Sequence, residues 1–198
     1  TPTCPGSFTM GQTIAGASSQ TSTGVFESDR VVLSGPGTLR GFWMHLQSVG
    51  NPAPPAYMGL YGDAGGSAPS TLIVQSGPQT LVAGWNHFDC APTLLATGGN
   101  YWSAFNNETG VGAAVPSYNS SGPVEYSKNL AWGALPGNAP NGGASGNIFY
   151  SIYADICPST GPTPTPTVTQ TPLCGTPLFF GNNLVGSLNA NAPDALES

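Results

Sequence analysis

The sequence predicts an all-β fold, an antiparallel β-sandwich of the jelly-roll type. Apolar and polar residues alternate along several short segments, and this period of two is typical of strands with one buried face. Glycine, proline and asparagine cluster between these segments, as they do in turns. No segment repeats apolar residues at the 3.6-residue spacing of an amphipathic helix. Many short strands joined by such turns are typical of sandwiches and barrels.

The clearest strands are predicted at residues 42–47, 101–106 and 148–156. In the first of them, Phe42, Met44 and Leu46 share one face, and Trp43 and His45 share the other. Hydrophobic residues make up 39% of the chain, which is enough to fill a core despite 28 glycines and 20 prolines. Shorter strands are expected near residues 7–14, 24–33, 56–61, 71–76, 79–89 and 124–131.

Charge is scarce on this chain. Charged residues are 6% of the total, the net charge is −6, and the three basic residues are Arg30, Arg40 and Lys128. Nucleic-acid binding needs a cationic surface, so this class of partner is excluded. No apolar run approaches the ~20 residues of a membrane span, so membrane insertion is not expected. Few charges, four cysteines and a Thr-Pro segment favour an oxidising, extracellular or cell-surface location.

The end of the chain repeats its beginning. A shift of 170 residues aligns residues 1–28 with residues 171–198 and gives seven identities in 28 pairs. We therefore predict a β-sandwich module at 1–158, a Pro/Thr-rich linker at 159–173 and the start of a second copy at 174–198. The second copy is a candidate donor strand for a neighbouring subunit. The repeated residues are Thr1, Pro2, Cys4, Gly11, Gly16, Glu27 and Ser28.

The linker alternates proline with threonine over residues 162–172 and has almost nothing to bury. Such a segment is expected to form an extended, polyproline-like spacer. Residues 1–3 read Thr-Pro-Thr, like the end of an earlier spacer, so we expect the chain to be a segment of a longer precursor.

Two kinds of glycosylation site are candidates. The linker threonines could accept O-linked glycans, and a bare linker is the alternative. Two Asn-x-Ser/Thr sequons could accept N-linked glycans where the source cell has the enzymes. The candidate acceptors are Thr163, Thr165, Thr167 and Thr169 for O-linked glycans, and Asn107 and Asn119 for N-linked glycans.

The four cysteines leave two disulfide schemes open. A Cys4–Cys157 bond is preferred, because it would join the first and last strands of a sandwich. Cys90 would then be free, or paired with Cys174 or with a neighbouring chain. The rival scheme pairs Cys90 with Cys157 and Cys4 with Cys174.

Three segments carry a resemblance to a known kind of module. They read AYMGLYGDAGGSAPSTL at residues 56–72, AGWN at 83–86 and GNYWSA at 99–104. The chain resembles the jelly-roll modules of secreted, tandem-repeat bacterial surface proteins, which carry a LYSDxxGxPxxL turn, a GWN strand and a YWxA strand. The resemblance covers roughly a third of the module, and it implies a β-sandwich without catalytic activity. The Thr-Pro linker resembles the spacers of multi-module exported proteins.

Signals of catalysis are few. The chain has no HExxH, GxSxG or P-loop motif. Glu27 and Asp29 lie two residues apart on a predicted strand, so they would share a face at ~7 Å, a separation compatible with a glycosidase pair. The alternative, which we prefer, is a solvated face beside Arg30. We expect no enzymatic activity.

No cofactor is expected, and the only metal considered is a structural calcium ion. Jelly rolls often hold Ca²⁺ through carboxylates and backbone carbonyls. Asp63, in a glycine-rich turn, and Asp155, in the last predicted strand, are the weak candidates for its ligands. The alternative for Asp63 is a turn former that accepts backbone hydrogen bonds.

Aromatic side chains are the candidates for carbohydrate binding, because exposed rings stack on sugars. The alternative is that these rings fill the core, as aromatic residues in strands usually do. The main candidates for sugar stacking are Trp43, Tyr61, Trp85 and Trp102, and Tyr57, Tyr118 and Tyr126 are further ones.

These features favour a non-catalytic, extracellular structural module. We expect it to be a subunit of a surface appendage or filament, assembled with copies of itself through strand and linker contacts. The alternative is a carbohydrate-binding or adhesive module of a larger secreted protein, with glycans as partners. A glycosidase that uses Glu27 and Asp29 is a third, weaker class.

Overall fold

A computed structural model describes residues 4–65, 67–108, 112–159, 179–180 and 183–184. Over these residues the chain forms strands and no helix. It divides into two compact units, Thr1–Ser159 and Thr160–Ser198. The strands of the first unit are Phe8–Gly11 (β1), Ser18–Ser19 (β2), Val25–Leu33 (β3), Gly37–Val49 (β4), Pro55–Asp63 (β5), Pro69–Gln75 (β6), Gln79–Thr80 (β7), Gly84–Leu95 (β8), Gly99–Asn107 (β9), Ala114–Asn119 (β10), Glu125–Asn129 (β11), Ala144–Gly146 (β12), Phe149–Tyr150 (β13) and Ile152–Pro158 (β14).

The first unit is an antiparallel β-sandwich, so the predicted fold class is confirmed. The first sheet has seven strands in the order β1, β14, β4, β10, β13, with β8 paired to β4 and β2 paired to β10. The second sheet also has seven strands, in the order β12, β11, β3, β9, β5, β6, with β7 paired to β5. In the second unit, Phe179–Phe180 (β15) pairs antiparallel with Asn183–Leu184 (β16).

The main core lies between the two sheets. The predicted alternation of β4 is confirmed, because Phe42, Met44 and Leu46 are at most 1% exposed while Trp43 and His45 lie on the other face. The second sheet contributes the facing apolar side chains of β3, β5 and β9. The core residues from the second sheet include Val31, Leu33, Met58, Leu60 and Phe105.

A second, smaller cluster covers the outer face of the second sheet. Trp102 and Tyr61 lie opposite each other on β9 and β5 and are fully buried. Leu135, in the segment after β11, packs over them and over Phe26. Both faces of β9 are therefore covered, whereas period-two alternation predicts a strand with only one buried face.

One strand that the sequence pattern does not indicate is β10. Its partner residues on β4 shift in register between Val115 and Pro116, which marks a bulge or irregularity. Proline cannot donate a ladder hydrogen bond, so it is tolerated in a strand mainly at edges and bulges. The irregular position hides the alternation that reveals the neighbouring strands.

The ends of the sandwich module are joined by a disulfide. The predicted Cys4–Cys157 bond is present, with a Cα–Cα distance of 5.7 Å across a sequence separation of 153. The rival pairing of Cys90 with Cys157 is wrong, because Cys157 is already bonded and Cys90 is a free, half-buried thiol. Cys174 lies outside the described residues.

Candidate functional site

Five side chains form an aromatic patch on the solvent side of the first sheet, called here the outer aromatic face. Trp43 and His45 come from β4, Trp85 and His87 from β8, and Tyr153 from β14. The antiparallel register places Trp43 between Tyr153 and His87, and it places His45 opposite Trp85. All five are partly exposed, because they alternate with the core residues of their strands.

The rings of the outer aromatic face contact one another in a continuous strip. The centroids of Trp43 and Tyr153 are 5.9 Å apart, and their planes differ by only 13°. The ring centroid of Trp43 lies 4.6 Å from that of His87. The ring centroid of Trp85 lies 5.2 Å from that of Tyr153 and 5.1 Å from that of His45. Such mutual packing restrains the side chains, so the strip is a largely preorganised surface.

Polar groups border the strip. In the next row of the sheet, Gly41 lies between Asp155 and Asp89. Asp155 Oδ2 accepts a hydrogen bond of 2.7 Å from the indole Nε1 of Trp43, which fixes that ring. The side chain of Asp89 is 88% exposed. The Nδ1 atom of His45 lies 2.9 Å from Ser117 Oγ at the other end of the strip.

Two of the four main sugar-stacking candidates lie in this surface, and two do not. Trp43 and Trp85 belong to the outer aromatic face. The prediction is wrong for Tyr61 and Trp102, which are fully buried because the chain after β11 folds over their side of the second sheet. Tyr153 was missed, although the alternation along 148–156 places it on the face opposite Ile152.

The further tyrosine candidates do not join this surface. Tyr126 is nearly buried in the smaller cluster, and Tyr57 packs against Trp132 with ring centroids 5.1 Å apart. The ring centroid of Tyr118 lies 6.2 Å from that of Tyr150, and Tyr118 packs at the margin of the main core.

Glu27 and Asp29 lie inside the sandwich. The expectation of a solvated face is wrong, since Glu27 is 4% exposed and Asp29 is not exposed at all. Arg30 points to the other side of β3, where its Nη2 atom pairs with Asp63 at 2.8 Å. Glu125 on β11 lies directly opposite Asp29 and is 6% exposed. The three buried acids, Glu27, Asp29 and Glu125, are called here the interior carboxyl cluster.

The interior carboxyl cluster is held mainly by polar contacts from the facing sheet. The backbone N–H of Tyr150 donates a 2.6 Å hydrogen bond to Asp29 Oδ2. The Tyr150 hydroxyl hydrogen-bonds Glu27 and also contacts the side-chain amide of Gln20. Ser103, opposite Asp29 on β9, is likewise fully buried.

Burial makes these acids hold their protons. It raises the pKa of Glu27 from 4.5 to about 7, with the charge of Glu125 acting in the same direction and hydrogen bonds from Tyr150 and Ser22 acting against it. Burial also raises the pKa of Asp29 well above 3.8, and that of Glu125 above 4.5. A pair enclosed in this way cannot reach a polysaccharide chain without opening the sandwich, so its position does not favour a glycosidase site.

The two weak calcium candidates lie in different sheets. Asp63, on β5, accepts hydrogen bonds from Arg30 and from Trp102 Nε1, the latter at 3.0 Å, and these donors, opposing the effect of its burial, lower its pKa. Its oxygens therefore serve an ion pair rather than a cation site. Asp155 is occupied by the indole of Trp43. Within the described ranges, no group of three or more His, Cys, Asp or Glu side chains is arranged to hold a metal ion.

The glycosylation candidates have different outcomes. Asn107 is wrong as an acceptor in the folded protein, because it is fully buried and its amide donates a 2.6 Å hydrogen bond to the carbonyl of Ser22. Asn119, at the partly exposed end of β10, stays a prediction. The linker candidates Thr163, Thr165, Thr167 and Thr169 lie outside the described residues.

A separate surface depression of about 730 Å³ has no catalytic candidate other than serine hydroxyls. No acidic, basic or sulfur-containing side chain lines it. Its lining residues are Gln12, Ser120, Ser121, Gly122, Pro123, Asn147 and Phe149.

Comparison with known proteins does not assign the chain to a family. No protein-family model matches it, and no curated protein has a significantly similar sequence. Over the described residues, the structure has no helix that is long and apolar enough to cross a lipid bilayer.

Proposed function

We propose that this protein is a non-catalytic extracellular structural module, the repeating unit of a surface appendage or filament. The observation that carries the proposal is where the repeated residues lie in the fold. Five of the seven identities fall at positions that the sandwich constrains: Cys4, Gly11, Gly16, Glu27 and Ser28.

Two repeated glycines occupy sites without room for a side chain. Gly11 has a φ of +115°, and a Cβ atom there would collide with the carbonyl oxygen of Ile152. A Cβ atom at Gly16 would collide with the backbone of Tyr118. Both glycines recur, as Gly181 and Gly186. Residues 171–198 therefore keep several residues that the fold of the first module requires, which supports the start of a second copy of the same module.

The two ends of the module lie close together, which suits a unit repeated along one chain. β1 and β14 are antiparallel neighbours, with Phe8 opposite Ile156, so the chain enters and leaves the sandwich at one pole. The Cys4–Cys157 bond joins the two segments at that pole. Tension along a tandem chain would pass through this bond and leave the sheets unloaded, an arrangement suited to a structural repeat.

Contacts between subunits are best made at the outer edge of β1. No other described strand pairs with β1 on the side away from β14. A segment of a neighbouring subunit could add to this edge by backbone hydrogen bonds. It could not easily replace β1 itself, because the disulfide holds β1 in place.

The experiment is to image the purified chain by electron microscopy and to follow its assembly by light scattering over a range of concentrations. We expect concentration-dependent fibres or elongated oligomers, and we expect deletion of residues 171–198 to abolish them. A Cys90→Ser/Cys174→Ser double variant is the control, because it leaves only the two cysteines of the Cys4–Cys157 bond and so removes assembly by intermolecular disulfides.

Two results would count against the proposal. If the chain stays monomeric at every concentration, the proposed self-assembly is wrong. If assembly is unchanged after deletion of residues 171–198, the proposed contacts through the donor strand and linker are wrong.

A further inference from the structure

The outer aromatic face has the chemistry of a sugar-binding surface. Trp43, Trp85 and Tyr153 are partly exposed in a strip of contacting rings, and the apolar C–H faces of pyranose rings pack on exposed aromatic side chains. Asp89 and Asp155 border the strip, and ionised carboxylates are acceptors that suit the many hydroxyl donors of a sugar. The surface thus offers both kinds of contact that a polyhydroxylated ligand needs.

Charge distinguishes between classes of glycan. The strands of the first sheet carry two carboxylates, on Asp89 and Asp155, and one basic side chain, on Arg40. The other two basic residues, Arg30 and Lys128, lie on strands of the second sheet. Together with the net charge of −6, this disfavours sulfated or uronic-acid polymers and favours neutral ones.

The size of the strip disfavours a second copy of the chain as its occupant. All five rings are only partly exposed, and His87 exposes 19% of its side chain, so each ring offers a small part of its surface to a ligand. A stable protein interface buries about 800 Å² on each partner. The strip is therefore too small to hold a protein by itself, and it is large enough to contact a few sugar rings.

The arrangement of the rings also disfavours a cationic ligand. Cages for quaternary ammonium groups surround the cation with aromatic faces. Here the rings pack against one another at 4.6–5.9 Å along a sheet face, which leaves a strip rather than an enclosure.

We propose that the outer aromatic face is a binding site for a neutral polysaccharide. Trp43, Trp85 and Tyr153 provide the stacking surface, and Asp89 accepts hydrogen bonds from sugar hydroxyls at its border. The site is independent of the contacts that would assemble subunits, since it lies on the face of the sheet rather than on the β1 edge.

The test measures binding of the full chain to hydroxyethylcellulose, xylan, dextran and mannan by affinity electrophoresis and titration calorimetry. Polygalacturonate and tetramethylammonium are the anionic and cationic comparison probes. We expect at least one neutral polymer to bind, and Trp43→Ala and Trp85→Ala each to weaken binding about tenfold. Trp132→Ala is the matched control, because Trp132 is also partly exposed but packs on Tyr57 at the second sheet.

Asp89→Asn tests the polar border of the site, because this side chain is 88% exposed and its Oδ1 atom lies 3.7 Å from Nδ1 of His87. We expect it to weaken binding of the neutral polymer while the melting temperature stays that of the wild type. The proposal is overturned if no neutral polymer binds, if only polygalacturonate or tetramethylammonium binds, or if Trp132→Ala weakens binding as much as Trp43→Ala. It is equally overturned if Trp43→Ala abolishes self-association in sedimentation experiments while leaving polysaccharide binding unchanged.

Discussion

Replacing Glu27 with glutamine should remove part of the pH dependence of the stability of this protein. Glutamine keeps the size and the hydrogen-bonding capacity of protonated glutamate but cannot ionise. Glu27 is 4% exposed, and its pKa in the folded protein is about 7, against 4.5 without the fold. The folded state therefore binds this proton more tightly than the unfolded state does.

The sign and the size of the effect follow from this difference. Protonated Glu27 contributes fully to the unfolding free energy below pH 4.5. This contribution is lost as the pH rises from 4.5 through 7, and above that the unfolding free energy no longer changes because of Glu27. A roughly 300-fold difference in proton affinity corresponds to about 3 kcal/mol of unfolding free energy. Asp29 and Glu125 add losses in the same direction, because their pKa values are also raised.

The assay is chemical denaturation of wild type and Glu27→Gln at a series of pH values from 4 to 8, followed by tryptophan fluorescence. We expect the two proteins to have similar stability near pH 4, and the variant to be about 3 kcal/mol more stable than the wild type near pH 8. Asp89→Asn is the control, since an 88% exposed carboxylate should leave the wild-type pH profile in place. A wild-type stability that is constant or rises between pH 4.5 and 8 would refute the reasoning, and so would a variant that loses as much stability as the wild type.

Three further changes test the packing that supports the sites. Reduction of Cys4–Cys157, or its replacement by serines, should lower the unfolding free energy by about 5 kcal/mol in the chain-entropy model, measured by denaturation with and without reductant; a loss below 1 kcal/mol would show that the bond constrains little. Trp102→Ala should lower the unfolding free energy by about 3–5 kcal/mol, because the ring is fully buried and its Nε1 donates a hydrogen bond to Asp63. Trp132 is partly exposed, so Trp132→Ala should cost much less. Equal losses of stability in thermal denaturation would contradict the assigned core. Gly16→Ala should destabilise the sandwich by about 1–3 kcal/mol, whereas Gly77→Ala, where a Cβ atom meets nothing within 4 Å, should be nearly neutral; similar melting temperatures for the two would show that the Gly16 site can relax.

The local pattern was sufficient for the long strands and for which of their side chains point inward. Phe42, Met44 and Leu46 point into the core as their alternation predicts, because successive side chains of any strand point to opposite sides. The disulfide was also predictable, since Cys4 and Cys157 lie at the two ends of a module whose terminal strands could be neighbours. The strand β10 was not predictable, because its pairing with β4 is irregular at Pro116.

The sequence by itself determined the fold class, the alternation of the strands and the repeat, all of which depend on residues near one another in the chain or on direct comparison of two segments. Only the tertiary structure decided which faces are covered. Alternation shows that a strand has two faces, but a segment distant in sequence decides whether the second face meets water. Leu135 and its neighbours cover Trp102 and Tyr61, whereas no described segment covers Trp43, Trp85 and Tyr153. The same long-range packing placed Glu27 and Asp29 inside the sandwich, where burial rather than their spacing determines their chemistry.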